Sequence, residues 1–122
     1  MTATPIHRPA NDLLTVEVTE AAPLARLTAT GEIDSSSAPL LREQLDMLLE
    51  SPLSELTIDL SGVTFLDSAG LCVLAAAHRR VGSDVRLRVL AASRAVIRPL
   101  QITGLWQLLH AEEVAKTAGS AA

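Results

Sequence analysis

The chain contains 122 residues, 48% of them hydrophobic, which suffices for one domain with a buried core and leaves no room for a second. A net charge of -4 and an aromatic content of 2% argue against a nucleic-acid-binding protein, because such proteins need clustered cations and rings on which bases can stack. The N-terminal MTATPIHRPAND lacks the apolar core of a signal peptide, and no run of about 18 apolar residues is present, so we expect a cytoplasmic protein without a membrane span.

Two strands and a helix are predicted in the first half of the chain. Apolar and polar residues alternate in LLTVEVTE (13–20) and in LARLTATGEI (24–33), and the short EAAP between them indicates a hairpin. The segment DSSSAPLLREQLDMLLE (34–50) begins with serines that can cap a helix, has Pro39 in its first turn and repeats leucine along one stripe. We therefore expect an amphipathic helix after the second strand.

Two more strands are predicted in the second half. Alternation in ELTIDLSGV (55–63) and DVRLRVLA (84–91) indicates half-buried strands, and the run from Ala69 to Val81 between them indicates a helix. A third helical segment is expected in SRAVIRPLQITG (93–104). Residues 105–122 are expected to hold a short strand or helix followed by an alanine-rich tail.

Each predicted strand has one polar face, and this pattern indicates the fold class. Strands covered by helices on both sides read as continuous apolar runs, and these strands do not. We therefore predict a single α/β domain, with a mixed sheet of four to five strands and its helices packed on one face. The domain is predicted to span residues 13–115, between a flexible segment 1–12 and a disordered tail 116–122. The polar side chains expected on the open face, or near strand edges, are Thr57, Asp59, Arg86 and Arg88.

The single cysteine, Cys72, excludes an internal disulfide. It lies in an apolar helical run, so we expect a buried thiol in a reducing compartment. No group of Cys and His residues has metal-ligand spacing, and neither a GxGxxG nor a GxxxxGK[ST] motif is present. No metal, nucleotide or other cofactor is therefore expected.

The stretch FLDSAGLCVL (65–74) is the candidate functional site. It lies in a strand, helix, strand unit over residues 55–91, and the right-handed crossover of such a unit puts FLDSAG at the carboxyl end of a strand, where α/β sheets carry their sites. The earlier GEIDSSS (31–37) also leads from a strand into a helix. We therefore expect Asp34 and Ser68 to lie at one exposed edge.

The chemistry of the motif leaves three roles for Ser68. It or Asp67 can cap the helix, and if Ser68 is the cap then Ser68→Ala would cost about 0.5 to 2 kcal/mol. A hydrolase nucleophile is disfavoured, because Leu66 replaces the upstream glycine of the hydrolase elbow and His78 is too far along the same helix to act as a base. As a third role, the amides of a helix N-terminus can accept a phosphate on Ser68. Its charge would block a partner more than it would destabilise the fold, which suits a binding switch better than a catalyst.

Three motifs resemble those of a known family. GEID (31–34), LTIDLSGVTFLDSAGLCVL (56–74) and ITGLWQLL (102–109) are similar to STAS domains, and specifically to bacterial anti-sigma factor antagonists. The resemblance covers residues 13–115, and the central block is its specific part. It implies a small sheet with helices on one side, no enzymatic activity, and binding to an anti-sigma factor that is a serine kinase of the histidine-kinase-like ATPase type.

The resemblance also implies roles for individual residues. Ser68 would be phosphorylated by the anti-sigma factor using ATP, Asp67 would be its neighbour in the turn, and Asp34 would contact the partner. The unphosphorylated chain would capture the anti-sigma factor and free the sigma factor, and a phosphatase would restore it. A monomer or weak dimer without nucleic-acid or membrane partners is expected. The implied partner-binding residues are Asp34, Ser35, Asp67, Ser68, Ala69, Gly70 and Leu71.

An alternative role follows from the same resemblance. STAS modules also serve as accessory subunits of transporters, including lipid-trafficking ATPase complexes, and a lone domain of this size fits that role too. A kinase-type anti-sigma gene beside this one would favour the antagonist, and transporter genes would favour the accessory subunit.

Overall fold

Strands and helices alternate after an antiparallel start in the structure, a computed structural model that describes residues 8–11 and 13–115. The strands are β1 (Arg8–Asn11), β2 (Leu14–Ala21), β3 (Leu24–Ile33), β4 (Glu55–Leu66), β5 (Arg86–Ala91) and β6 (Ala111–Glu113). The helices are α1 (Ala38–Leu48), α2 (Ser68–Val81), α3 (Arg94–Ile102) and α4 (Leu105–Leu108).

The six strands form one sheet in the order β1-β2-β3-β4-β5-β6. Strands β1, β2 and β3 are antiparallel neighbours, which confirms the predicted hairpin, and β3 to β6 are parallel. The predicted α/β fold with a mixed sheet is confirmed, and short strands at both edges make the sheet wider than expected. Within the predicted flexible segment 1–12, residues 8–11 form β1, whereas residues 1–7 and 12 and the predicted tail 116–122 lie outside the described residues.

The connecting helices cover one face of the sheet. Each connection between parallel strands moves one strand further in the same direction, and right-handed crossovers then place the helices on the same side. Helix α1 packs on β2 and β3, and α2 lies beside α1 on β4 and β5. Beneath them Leu27, Ile58 and Val89 are paired across β3, β4 and β5 and fully buried, as the alternation predicts.

The opposite face is polar, but its centre is not exposed. Thr57 is 8% and Asp59 4% exposed, so the prediction that these two side chains face solvent is wrong. Both lie on the central strand β4, and Arg26 of β3 forms an ion pair with the Asp59 carboxylate. The prediction is confirmed for Arg86, which is exposed, and Arg88 is half-buried.

Strand β4 extends well beyond its neighbour β5. Its last pair with β5 is Leu60 with Ala91, whereas its pairing with β3 continues to Leu66, opposite Ile33. On its other side, β3 passes close to the start of β2 at Gly31, where the φ is +117° and an added Cβ would lie 1.8 Å from the Leu13 carbonyl oxygen. The ends of β3 and β4 therefore project together beyond the end of β5.

The C-terminal part contains both elements that the sequence left open. The predicted third helical segment is α3, whose buried side chains Val96, Ile97 and Leu100 join the core and which packs against β4. After Gly104, the four-residue α4 leads into the three-residue strand β6, which pairs with β5. Residues 105–113 therefore supply a short helix and a strand.

Candidate functional site

The two loops singled out by the sequence start side by side. Ile33 and Leu66 are paired at the ends of β3 and β4, and the Asp67 amide donates a hydrogen bond to the Ile33 carbonyl at 3.2 Å. The loop that begins at Asp34 therefore lies next to the first turn of α2, as predicted. We call the surface formed by Asp34, Ser35, Asp67 and Ser68 the serine edge.

Asp34 organises the turn into α1. Its Oδ1 accepts hydrogen bonds from the Ser36 amide at 2.9 Å, the Ser36 hydroxyl at 2.7 Å and the Ser37 amide at 3.1 Å. The Ser37 hydroxyl accepts from the Asp34 amide at 2.9 Å and donates to the Glu32 carbonyl, also at 2.9 Å. Serines thus serve to hold the loop in one conformation, because the hydroxyls and amides of Ser36 and Ser37 all have local partners.

These bonds also fix the charge of Asp34. The hydrogen bond from the Ser36 hydroxyl, with those from the backbone amides of Ser37 and Ser36, lowers the pKa of the Asp34 carboxyl below its ordinary value, although desolvation acts in the opposite direction. The group is therefore an anion at neutral pH, held in one orientation beside α2.

The cap of α2 is Asp67 and not Ser68. Its Oδ1 accepts hydrogen bonds from the amides of Ala69 at 2.9 Å and Gly70 at 3.4 Å, and its carbonyl accepts from the Leu71 amide at 3.1 Å. Ser68 is the first residue of the helix and is exposed. The expectation that Ser68→Ala removes a cap is therefore wrong, because the preceding carboxylate already binds the free amides of the first turn.

Gly70 has a packing role. It is buried, and a Cβ at this position would lie 2.3 Å from Leu66 Cδ1 and 2.8 Å from Ile33 Cγ2. The glycine lets the first turn of α2 rest directly on the ends of β3 and β4. Of the other predicted partner-binding residues, Ser35 is exposed, whereas Ala69 and Leu71 are half-buried and pack against the core.

Cys72 is exposed, so the predicted buried thiol is wrong. The buried face of α2 consists of Gly70, Val73, Leu74, Ala77 and Val81, and Cys72 lies outside it. Its spacing of four residues from Ser68 puts both side chains on one face of the helix, a signal that was present in the sequence. Phe65, 45% exposed on the adjoining strand end, is a second surface residue near the serine edge that the alternation did not reveal.

The charge at the serine edge is negative. Asp34 and Asp67 flank the serine, with Glu32 on the adjoining strand.

No described histidine can serve Ser68 as a base. The two histidines that the structure describes, His78 and His110, both line a cavity of about 640 Å³ between the end of α2 and the start of β5. Ser68 lies at the other end of that helix, about 15 Å away at 1.5 Å per residue.

The described residues also bear on metal binding and on membrane insertion. No group of three or more His, Cys, Asp and Glu side chains among them could hold a metal ion. None of the helices in this part of the chain has the length and apolar character needed to cross a membrane.

The sequence and the fold are both similar to those of known proteins. Residues 15–121 match the family model of the STAS domain. The anti-sigma-F factor antagonist RsfB of Mycobacterium tuberculosis is 38% identical over 96 residues, which are 79% of each chain. An anti-sigma-B factor antagonist of Staphylococcus aureus is 28% identical over 101 residues, which are 82% of this chain and 94% of the relative. The crystal structure of an anti-sigma factor antagonist from Mycobacterium paratuberculosis has a TM-score of 0.77 and 31% identity, covering 87% of this chain and 89% of that one.

Proposed function

The chain belongs to the STAS domain family, and on this premise we propose that it is an anti-sigma factor antagonist controlled by phosphorylation of Ser68. In its unmodified form it binds an anti-sigma factor in the cytoplasm through the serine edge, and the sigma factor is released. The anti-sigma factor is a serine kinase of the histidine-kinase-like ATPase type, and a phosphatase reverses the modification. The observation that carries this proposal is the exposed Ser68 at an edge whose two turns are held by Asp34 and Asp67.

The position of Ser68 suits a kinase substrate. Its side chain is exposed at the first position of α2, and no described side chain hydrogen-bonds to its hydroxyl. The turns on either side are fixed by Asp34 and Asp67, so a kinase meets a preformed surface. A preformed surface loses little conformational entropy on binding, which favours recognition.

The electrostatics suit a switch that acts on the partner and not on the fold. The amides of Ala69 and Gly70 that could hold a phosphate already bind Asp67. A phosphate on Ser68 would add about 1.5 to 2 negative charges beside Asp34 and Asp67 without new internal partners. Burying such an unmatched charge under a partner costs several kcal/mol, and each 1.4 kcal/mol lowers affinity about tenfold.

The proposal is tested by capture followed by calorimetry. The tagged protein is incubated with lysate of its source organism with and without ADP, and bound proteins are identified by mass spectrometry. We expect an anti-sigma factor of the kinase type. The purified factor should bind the wild type and Ser68→Ala with similar affinity, bind Ser68→Asp at least about tenfold more weakly, and phosphorylate only the wild type in the presence of ATP.

Three outcomes would contradict the proposal. Equal affinity for all three proteins would remove Ser68 as the switch, as would phosphate found on Ser35, Ser36 or Thr64. Recovery of a transporter ATPase in place of an anti-sigma factor would instead support an accessory subunit. Ser83→Asp is the matched control for added charge, since this exposed serine lies beyond the other end of α2 and the change should leave both binding and the kinase reaction at Ser68 intact.

A further inference from the structure

A groove runs between α1 and α2 on the side away from the sheet. Its upper part has a volume of about 310 Å³ and lies between Pro39 of α1 and Cys72 of α2. The lower part, of about 200 Å³, continues along the same two helices. Arg42 and Val73 line both parts, so they form one continuous surface, which we call the α1–α2 groove.

The walls of the groove carry small side chains at helical spacing. Ala69, Cys72 and Ala76 follow one another along α2 at intervals of three and four residues, and Ala38 faces them from α1. From Ala69 to Arg80 the groove is about 16 Å long at 1.5 Å per residue, or about three helical turns. Small residues between two helices leave room for the side-chain ridge of a third helix.

The charges in the groove differ from those of the serine edge. Arg42 and Arg80 face the single acid Asp46, which accepts a hydrogen bond from Arg80 at 3.0 Å and lies 3.9 Å from Arg42. These three side chains therefore sum to a charge of about +1 in a protein whose net charge is -4. With 66% of its side chain exposed and only a long contact to Asp46, Arg42 is available to an acidic group of a partner.

The groove is continuous with the serine edge. Ser35 and Ala69, which line its upper end, are the neighbours in sequence of Asp34 and Ser68. A partner that covers Ser68 therefore reaches the groove without a gap. Helices form both walls, and their backbone groups are paired internally, so this surface offers no strand edge to which an extended segment could add.

We propose that the α1–α2 groove binds an amphipathic helix of the anti-sigma factor, with a ridge of apolar side chains against the alanines and an acidic side chain opposite Arg42. The inference rests on the proposed function and extends it, because recognition then depends on a surface that continues from the serine edge along α1 and α2. Partner choice is set in the groove, where the charge pattern selects an acidic helix, while phosphorylation acts at the serine edge.

The first test reverses the charge of Arg42. Calorimetry with the purified anti-sigma factor from the capture experiment should show binding to Arg42→Glu weakened by about tenfold or more. Arg98→Glu, an exposed position on α3 with the same charge change, is the control and should bind within about twofold of the wild type. Circular dichroism and urea unfolding establish that both variants are folded.

The second test measures whether the partner protects a thiol placed in the groove from maleimide labelling. In a Cys72→Ala background, Ala76→Cys puts a thiol in the lower part of the groove and Met47→Cys puts one on the exposed side of α1. Saturating anti-sigma factor should slow maleimide labelling of the thiol from Ala76→Cys by about tenfold and leave that from Met47→Cys unchanged.

The outcomes separate the two proposals. If the wild type binds the anti-sigma factor but Arg42→Glu binds equally well and the thiol of Ala76→Cys stays reactive, the groove proposal is overturned and the proposed function stands. If the wild type binds no anti-sigma factor, both are overturned. A change at Met47→Cys equal to that at Ala76→Cys would also overturn the groove, because the protection would not be specific to it.

Discussion

At the residue scale, structure and recognition are divided between neighbours in the sequence. Asp67 caps α2 through two backbone amides, whereas Ser68 is exposed. Gly70, two positions further, is buried against Leu66 and Ile33. Substitutions at these three positions should therefore change the free energy of unfolding by very different amounts, although all of them lie in one turn of helix.

Asp67→Ala should lower the free energy of unfolding by about 0.5 to 2 kcal/mol, because the first-turn amides lose their acceptor. Asp67→Asn, which keeps a capping oxygen, should lose only a fraction of this. Ser68→Ala should change stability by less than about 0.5 kcal/mol, as expected of an exposed position. Urea unfolding of the three variants measures the difference, and a larger loss for Ser68→Ala than for Asp67→Ala would show that the cap has been misassigned.

Gly70→Ala should destabilise the domain by about 1 to 3 kcal/mol. The added methyl meets Leu66 Cδ1 at 2.3 Å, so side chains at the ends of β3 and β4 must move, and this overpacking outweighs the gain in helix propensity of about 0.5 to 1 kcal/mol. Thermal unfolding compared with Ser68→Ala in the same turn gives the measurement. A Gly70→Ala protein as stable as the wild type would mean that the contact relaxes freely.

At the scale of elements, the central strand β4 buries a charge on the face of the sheet opposite the helices. The Asp59 carboxylate pairs with Arg26 of β3 and accepts a hydrogen bond from the Ser61 amide at 2.9 Å. Burial acts to raise the pKa of Asp59, but the hydrogen bonds from Ser61 and the ion pair with Arg26 outweigh it and bring the pKa below its ordinary value. The carboxylate thus stabilises the pairing of β3 with β4 as an anion.

The contribution of Asp59 should depend on pH. Because its pKa is lower in the folded than in the unfolded chain, the stabilisation is complete above the unfolded value and is lost as the pH falls through the folded one. Asp59→Asn should cost about 1 to 3 kcal/mol at neutral pH and less at about pH 3. Urea unfolding at both pH values is the measurement, with Glu113→Gln on the exposed β6 as control. A cost that stays constant, or grows in acid, would contradict this account.

At the scale of the whole molecule, the features that the sequence predicts are those that depend on local pattern. Alternation predicted β2 to β5, and strand-to-helix turns predicted that Asp34 and Ser68 share an edge, because pleat and crossover handedness follow from chain geometry. Features set by neighbours in space were missed: Asp59 is buried beside Arg26 of the next strand, and Cys72 lies outside the buried face of α2. The sequence could not show that Asp67 and not Ser68 caps α2, since both residue types are good caps.

The bonds from the first turn of α2 to Asp67 also bear on how long a signal would last. A phosphate on Ser68 would find these amides occupied, so they would offer it no new hydrogen bonds with which to rearrange the first turn of α2. The phosphate would then change the charge of this surface and leave the fold of the domain as it is. If Ser68 is phosphorylated as proposed, loss of the signal would then require removal of the phosphate and would not follow from a relaxation of the fold.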